Sequence, residues 1–394
     1  MTERKTYEDP QKLRQERKAL VNDTIRQQKK PARTPIMSHA WTWKAIDAGY
    51  KLKECLYDYD KMYDAVCQHH EKYEMDFYID MGSRNPVQVT DCFGESLYVI
   101  DENDHLSIKD YALMDADDYD DLISGGLIKY YFEKGVPFRY GITDKETMKQ
   151  GYAKAAKEYM RLADYNKKIA SQYVNVYGVP NFCAGKPTNP MDTMMCALRG
   201  IKGLSNDMRR QPEKLKEALA VLDSYWNKGT QKVLETFDDN DTVAMAFRMT
   251  TLSHTVQNPK QFEQFSWPFI ERYCRQVAER GWVAWLFTEG AIAHVVDFFK
   301  DIPKGAIGLL LEQDDPVEMK KALPNVTIAG GFPVTTLQNC SVAENLDRAK
   351  QLIDEMAYDG NYIFTTDKMM SFPEDGRGEN LKAVVDFVKD YAKF

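Results

Sequence analysis

Absences set the first limits. Seven cysteines among 394 residues, an odd count in no close metal-type spacing, fit reduced thiols better than a disulfide framework. No apolar run approaches the ~20 residues of a membrane span. Residues 1–5 lack the apolar core of a secretory signal. Positive charge is not in excess either: the formal net charge is −8, which argues against a general nucleic-acid binder. Low-complexity tracts and solenoid-type repeats are missing. With 43% hydrophobic and 28% charged residues, the composition is that of an enzyme-sized globular protein, expected in the cytoplasm.

What is present is a rhythm in the last third. Apolar runs at 283–287, 306–311, 326–329 and 362–365 lead into Glu289, Glu312 and Asp314, Gly330 and Gly331, and Asp367, and a helical stretch then resumes. Short continuous apolar runs between amphipathic helices read as parallel strands buried on both faces. Four successive strand–helix units predict half of a (β/α)8 TIM barrel, an α/β fold whose active site gathers just past the C-terminal ends of the strands. Glu289 and Glu312 are candidates for chemistry by that position alone. Helix starts agree independently, since Asp315 precedes Pro316 as an N-cap and Ser341 with Glu344 forms a capping box.

The earlier part of the chain is less regular. Residues 1–33 are polar and basic, with a helical stretch around 11–29, and read as a solvated cap or arm. Helical spacing covers 52–73, and 76–80 reads as a short buried strand, the first of the barrel. Alternation at 97–100 and 106–108 around a polar turn predicts an excursion hairpin. Helices are expected at 119–123, 147–163, 167–174, 190–204 and 212–227, and strands at 176–179 and 243–247. Pro268 should kink or break the helical stretch 259–280. The 18 methionines, including Met194, Met195, Met245 and Met249, read as core filling ahead of an adaptable pocket. Cys183 and Cys196 read as ordinary buried thiols. His69 and His70, adjacent on a helix, cannot share a face.

Residues 261–268, Gln-Phe-Glu-Gln-Phe-Ser-Trp-Pro, resemble a motif of the uroporphyrinogen decarboxylase-like superfamily, especially its corrinoid-dependent methyltransferase branch. Further likenesses follow in the same order at 198–200 with 207–209, at Glu289 and Gly290, at 328–333 and at 379–383. The resemblance covers nearly the whole chain and is strongest from Pro190 onward. It implies one (β/α)8 barrel over residues 36–394, with an N-terminal helical extension at 1–35 and an inserted β-hairpin.

Three chemistries compete within that superfamily. The decarboxylases carry an early arginine motif that suits a substrate with many carboxylates. Here residues 37–43, Met-Ser-His-Ala-Trp-Thr-Trp, contain no arginine. The thiol-methylating branch holds zinc with a His-X-Cys and a later Cys. This chain has Glu289 at that strand end and no cysteine in 365–376. What remains resembles the first methyltransferase of O-demethylase systems, which passes a methyl group from a methoxylated, aromatic small molecule to the Co(I) corrinoid of a partner protein. The rival readings are a carboxy-lyase of the decarboxylase type and a non-catalytic barrel that only binds.

Demethylating an aryl ether releases a phenolate whose conjugate acid has a pKa of roughly 10. The leaving oxygen therefore needs a proton or strong electrostatic help. Glu289 is the first choice for that role. Glu312 follows the next strand, and Asp80 lies near where the resemblance places a catalytic aspartate. His39, Trp41 and Trp43, on the early loop, are candidates to line an aromatic pocket. His254 and Asp314 are candidates for substrate contact at the mouth. The corrinoid is expected on a partner protein, zinc is left open, and so is a homodimer.

Overall fold

The computed structural model describes residues 4–82, 85–94, 97–109 and 112–394. Two short parallel strands come first, β1 (Met37–Ser38) and β2 (Phe77–Tyr78). A separate antiparallel hairpin follows, β3 (Tyr98–Ile100) and β4 (Leu106–Ile108). The remaining strands, β5 (Met245–Thr251), β6 (Val283–Thr288), β7 (Ile307–Leu311), β8 (Thr327–Ala329) and β9 (Tyr362–Ile363), form one parallel sheet in chain order. Parallel bridges at Ile36–Phe364 and Ala40–Met370 join β9 back to β1. Bridges at Asn181–Thr242 and Gly185–Phe247 set residues 181–185 beside β5.

Eight parallel positions therefore run round a (β/α)8 barrel: β1, β2, residues 181–185, then β5 to β9. At the seam between β2 and residues 181–185 the rings of Phe77 and Phe182 stack at 5.9 Å, with no ladder among the described residues.

Alternation sorts the side chains, as a two-residue strand period requires. Met37, Phe77, Trp285, Phe287, Leu310 and Ile363 share one buried cluster inside the barrel. Leu286, Leu309, Leu311, Ile328 and Tyr362 point outward under the helices. Gly308 is required by this packing, because a Cβ there would lie 2.6 Å from the Trp285 ring. Met194 and Met195 fill a third cluster with Leu198, Leu204 and Leu219, and Met245 and Met249 are buried as well.

Several expectations need correction. The first barrel strand is Met37–Ser38, not the stretch at 76–80, which supplies the second. Residues 176–179 are not a strand. Gly178 sits at φ +62°, and the barrel position falls at 181–185 instead. The helices expected at 147–163 and 167–174 are one helix, Lys145–Ser171, with a wide turn after it. Pro268 does break its helix, into Pro259–Phe265 and Trp267–Ala278.

The N-terminal stretch is a helix, Pro10–Arg26, capped by Asp9, but it is not a solvated arm. Val21 and Ile25 are fully buried in the interior cluster, and the Asn22 side chain accepts the Ala244 N–H at 2.7 Å. It closes the end of the barrel opposite the strand C-termini. The Asp315 cap and the Ser341–Glu344 capping box form as expected. No helix among the described residues is long and apolar enough to cross a membrane.

Candidate active site at the barrel mouth

A cavity of about 390 Å³ opens where β5 and β6 end. Its wall includes Lys186, Asp192, Cys196, Trp226, Arg248 and Glu289. A second cavity of about 300 Å³, bounded by Asp80, Cys183 and Lys186, adjoins it across the barrel seam.

Asp192 is placed by a strong local signal. Asn189 caps the helix that Pro190 opens, and Asp192 falls in its first turn. The carboxyl is 7% exposed, and its Oδ1 accepts the backbone N–H groups of Leu252 at 3.0 Å and Ser253 at 2.6 Å. Oδ2 has no hydrogen-bond partner. Burial raises its pKa to about 6, against the lowering pull of those two N–H groups. A buried carboxyl on the cavity wall, with its pKa raised toward neutrality, can carry a proton there.

Arg248 is an arginine inside a buried strand. Its Nη1 donates to the Ile79 carbonyl at 3.0 Å and pairs with Asp80 at 3.4 Å. Lys44, 1% exposed, reaches the Asp80 carbonyl and the Met81 carbonyl. Asp80 thus belongs to a charged cluster that ties β2 to β5, with its side chain toward the second cavity. Glu289 follows β6 by one residue, and its N–H donates to the Thr251 carbonyl at 3.0 Å. Cys196 is exposed on the cavity rather than buried as expected, and Cys183 is half-buried on the neighbouring one. Desolvation, with Asp192 and Glu289 nearby, pushes the Cys196 thiol up to about 12, so it stays protonated and is no nucleophile.

The other sequence candidates divide. Glu312 accepts the Gly290 N–H at 2.6 Å, and Asp314 accepts those of Ile292 and Ala293 at 2.8 and 3.0 Å. Both carboxylates hold the loop that follows Glu289. His39 packs edge-on against Phe287 at 5.1 Å, at the top of the barrel interior. Trp41 is half-buried, and its backbone N–H donates to the Met370 carbonyl at 2.8 Å. Trp43 is 1% exposed and packs against His69 and Tyr73 in the core, away from every described cavity. His254 is fully buried behind the cavity wall, stacked at 6.2 Å on His294, and burial lowers its pKa to about 4. It is neutral there.

Sequence reasoning missed Asp192, Arg248, Lys186 and Trp226. Arg248 carried a signal as a charge within an apolar strand, and the Asn189–Pro190 helix start marked the position of Asp192 without marking its role. Among the described residues no three His, Cys, Asp or Glu side chains converge closely enough to hold a metal ion.

A family profile described as Uroporphyrinogen decarboxylase (URO-D) matches residues 183–391. Among solved structures, a methyltransferase from Methanosarcina mazei aligns over 95% of this chain and 98% of its own, at TM-score 0.64 and 14% identity. At that identity the likeness concerns the fold. Dispersin B aligns over 59% of this chain and 75% of its own, at TM-score 0.30 and 12% identity, too low to carry an argument. No curated protein matches the sequence.

Proposed function

Given that the chain belongs to the uroporphyrinogen decarboxylase family, we propose that it takes a methyl group from a methoxylated aromatic small molecule and passes it to the Co(I) corrinoid of a partner protein. The observation that carries this reading is the Asp192 carboxyl, buried at the barrel mouth with a pKa near 6 and one oxygen unengaged. The cavity volume suits one small ring system, and Trp226 offers it an aromatic wall. The corrinoid, when docked over the mouth, supplies the nucleophile. Within this chain, Asp192 gives its proton to the ether oxygen as the carbon–oxygen bond breaks. The oxygen keeps the bonding electron pair and leaves as a neutral phenol. Glu289, on the same cavity, positions the donor and returns a proton to Asp192. Lys186 and Arg248 form a cationic side suited to an anionic substituent on the ring.

That cationic side also favours a second reading, decarboxylation. The cavity volume argues against a tetrapyrrole substrate, and a carboxy-lyase would then act on a much smaller acid.

The test is demethylation of a panel of methoxyarenes and methylamines with reduced corrinoid protein, following phenol release and the cobalt spectrum. Asp192→Asn should slow aryl ethers by about 10²–10⁴-fold, least for the most acidic phenols. The wild-type rate should fall as pH rises through about 6, and the variant should lose that dependence. Glu289→Gln should slow all donors alike. Release of carbon dioxide from a carboxylated donor, or no turnover of any donor, would sink the reading.

A further inference from the structure

The opposite end of the barrel holds a cavity of about 690 Å³, larger than the one at the mouth. Residues just before β1 (Ala32 and Arg33) and just before β2 (Glu74 and Asp76) border it, so it lies at the N-terminal ends of the strands. One face of the helix Pro10–Arg26 covers it with Leu13, Arg17 and Leu20, spaced four and three residues apart. Lys389, on the C-terminal helix Gly378–Tyr391, and Phe394 close the other side.

Two of the cations there lack an ion-pair partner among the described residues, whereas Lys393 is paired with Asp390. Arg33 is engaged by Asp76, Glu74 by Lys5 and Tyr7, and Glu16 is exposed. Arg17 is 7% exposed, and it meets the carbonyls of Tyr177 and Gly178 at 2.7 and 3.0 Å and the face of the Tyr7 ring at 6.0 Å, with no carboxylate among these contacts. Lys389 donates to the Tyr73 carbonyl at 3.0 Å, and burial holds its ammonium below the usual value although Glu74 and Asp76 lie nearby. Neither cation has a carboxylate within ion-pair distance among the described residues. Cations withdrawn from water without a counter-charge are costly. Carbonyl contacts orient them, and the nearest carboxylates stop short of ion pairing.

The geometry points to a second ligand site here, for a small organic carboxylate whose anionic end sits between Arg17 and Lys389 and whose apolar body lies on Leu13, Leu20 and Phe394. The site is separate from the mouth, because the packed interior around Trp285 stands between them. It does not depend on the methyl-transfer reading.

Calorimetric titration of the full chain with octanoate, in the absence of corrinoid and methyl donor, tests it. Octanol and inorganic phosphate serve as apolar-only and charge-only probes. Octanoate should bind saturably and raise the melting temperature, and the two other probes should bind at least tenfold more weakly. Lys389→Met should weaken octanoate at least tenfold. Arg17→Lys, which keeps a cation able to reach the Tyr177 and Gly178 carbonyls, should weaken it less. No octanoate binding, equal binding of phosphate or octanol, or unchanged octanoate binding in a folded Lys389→Met protein would overturn the assignment.

Discussion

The two halves of the barrel are built differently. From β5 to β9 the strands form one continuous parallel ladder with every register defined. From β1 to residues 181–185 the backbone contributes one two-residue pairing and isolated bridges. Charged side chains hold that half instead. Arg33 grips Asp76 below β2, Arg248 and Lys44 converge on Asp80 above it, and His105 in the hairpin turn reaches Glu374 after β9. Ladder bonds carry no titratable group, whereas an ion pair fails when either partner loses its charge, and the exposed pair at His105 is also screened by salt. The same fold therefore carries one half that should resist solution conditions and one that should respond to them.

The ladder half is broken most severely from inside. Trp285→Ala should cost about 3–5 kcal/mol, because the ring fills the barrel and Gly308 leaves nothing to collapse into the space. Urea unfolding measures it, and a loss below 1 kcal/mol would mean the interior is not packed as described. In the stitched half, Asp80→Ala strands the Arg248 guanidinium, 6% exposed, and should cost about 3 kcal/mol. Hydrogen exchange should then quicken in β2 while β6 and β7 stay protected. Equal loosening of both halves would erase the contrast drawn here.

The smallest effect is expected at His105. Its pKa is raised, first by the hydrogen bond to Glu374 and then by Asp101. A raised folded-state pKa means that the contribution is complete below the unfolded value of 6.5 and is lost as pH climbs through the folded one. Protection of residues 98–108 should weaken as pH rises above 6.5, and His105→Ala should make it uniformly weak. Protection that ignores pH would remove His105 from the tether.

Legibility followed the same division. The runs at 283–287 and 306–311 read correctly because strands buried on both faces have no polar alternation to confuse them. In the first half, β1 is two residues in a mixed stretch, and residues 181–185 contain Asn181, Cys183 and Gly185, with no apolar run to detect. The stretch 176–179 looked more like a strand than the segment that took its place. At the mouth, position after a strand pointed to Glu289, Glu312 and Asp314, but Glu312 gives one oxygen and Asp314 both to N–H groups of the loop after β6. Asp192 looked like any first-turn acid. Its character comes from the loop after β5 folding over it, some sixty residues away in sequence, and no local pattern encodes that.

Trp285, seated against Gly308, also has a kinetic meaning. With the interior filled, nothing entering the mouth can leave through the far end of the barrel. On the reading proposed above, donor, released phenol and the approaching cobalt would all use the same mouth. A partner protein seated over it would trap whatever lies beneath, so the small molecule has to enter first and the product can leave only after the partner lifts. Turnover on this barrel would therefore follow a compulsory order, with the corrinoid protein, at high concentration, acting as an inhibitor of its own reaction.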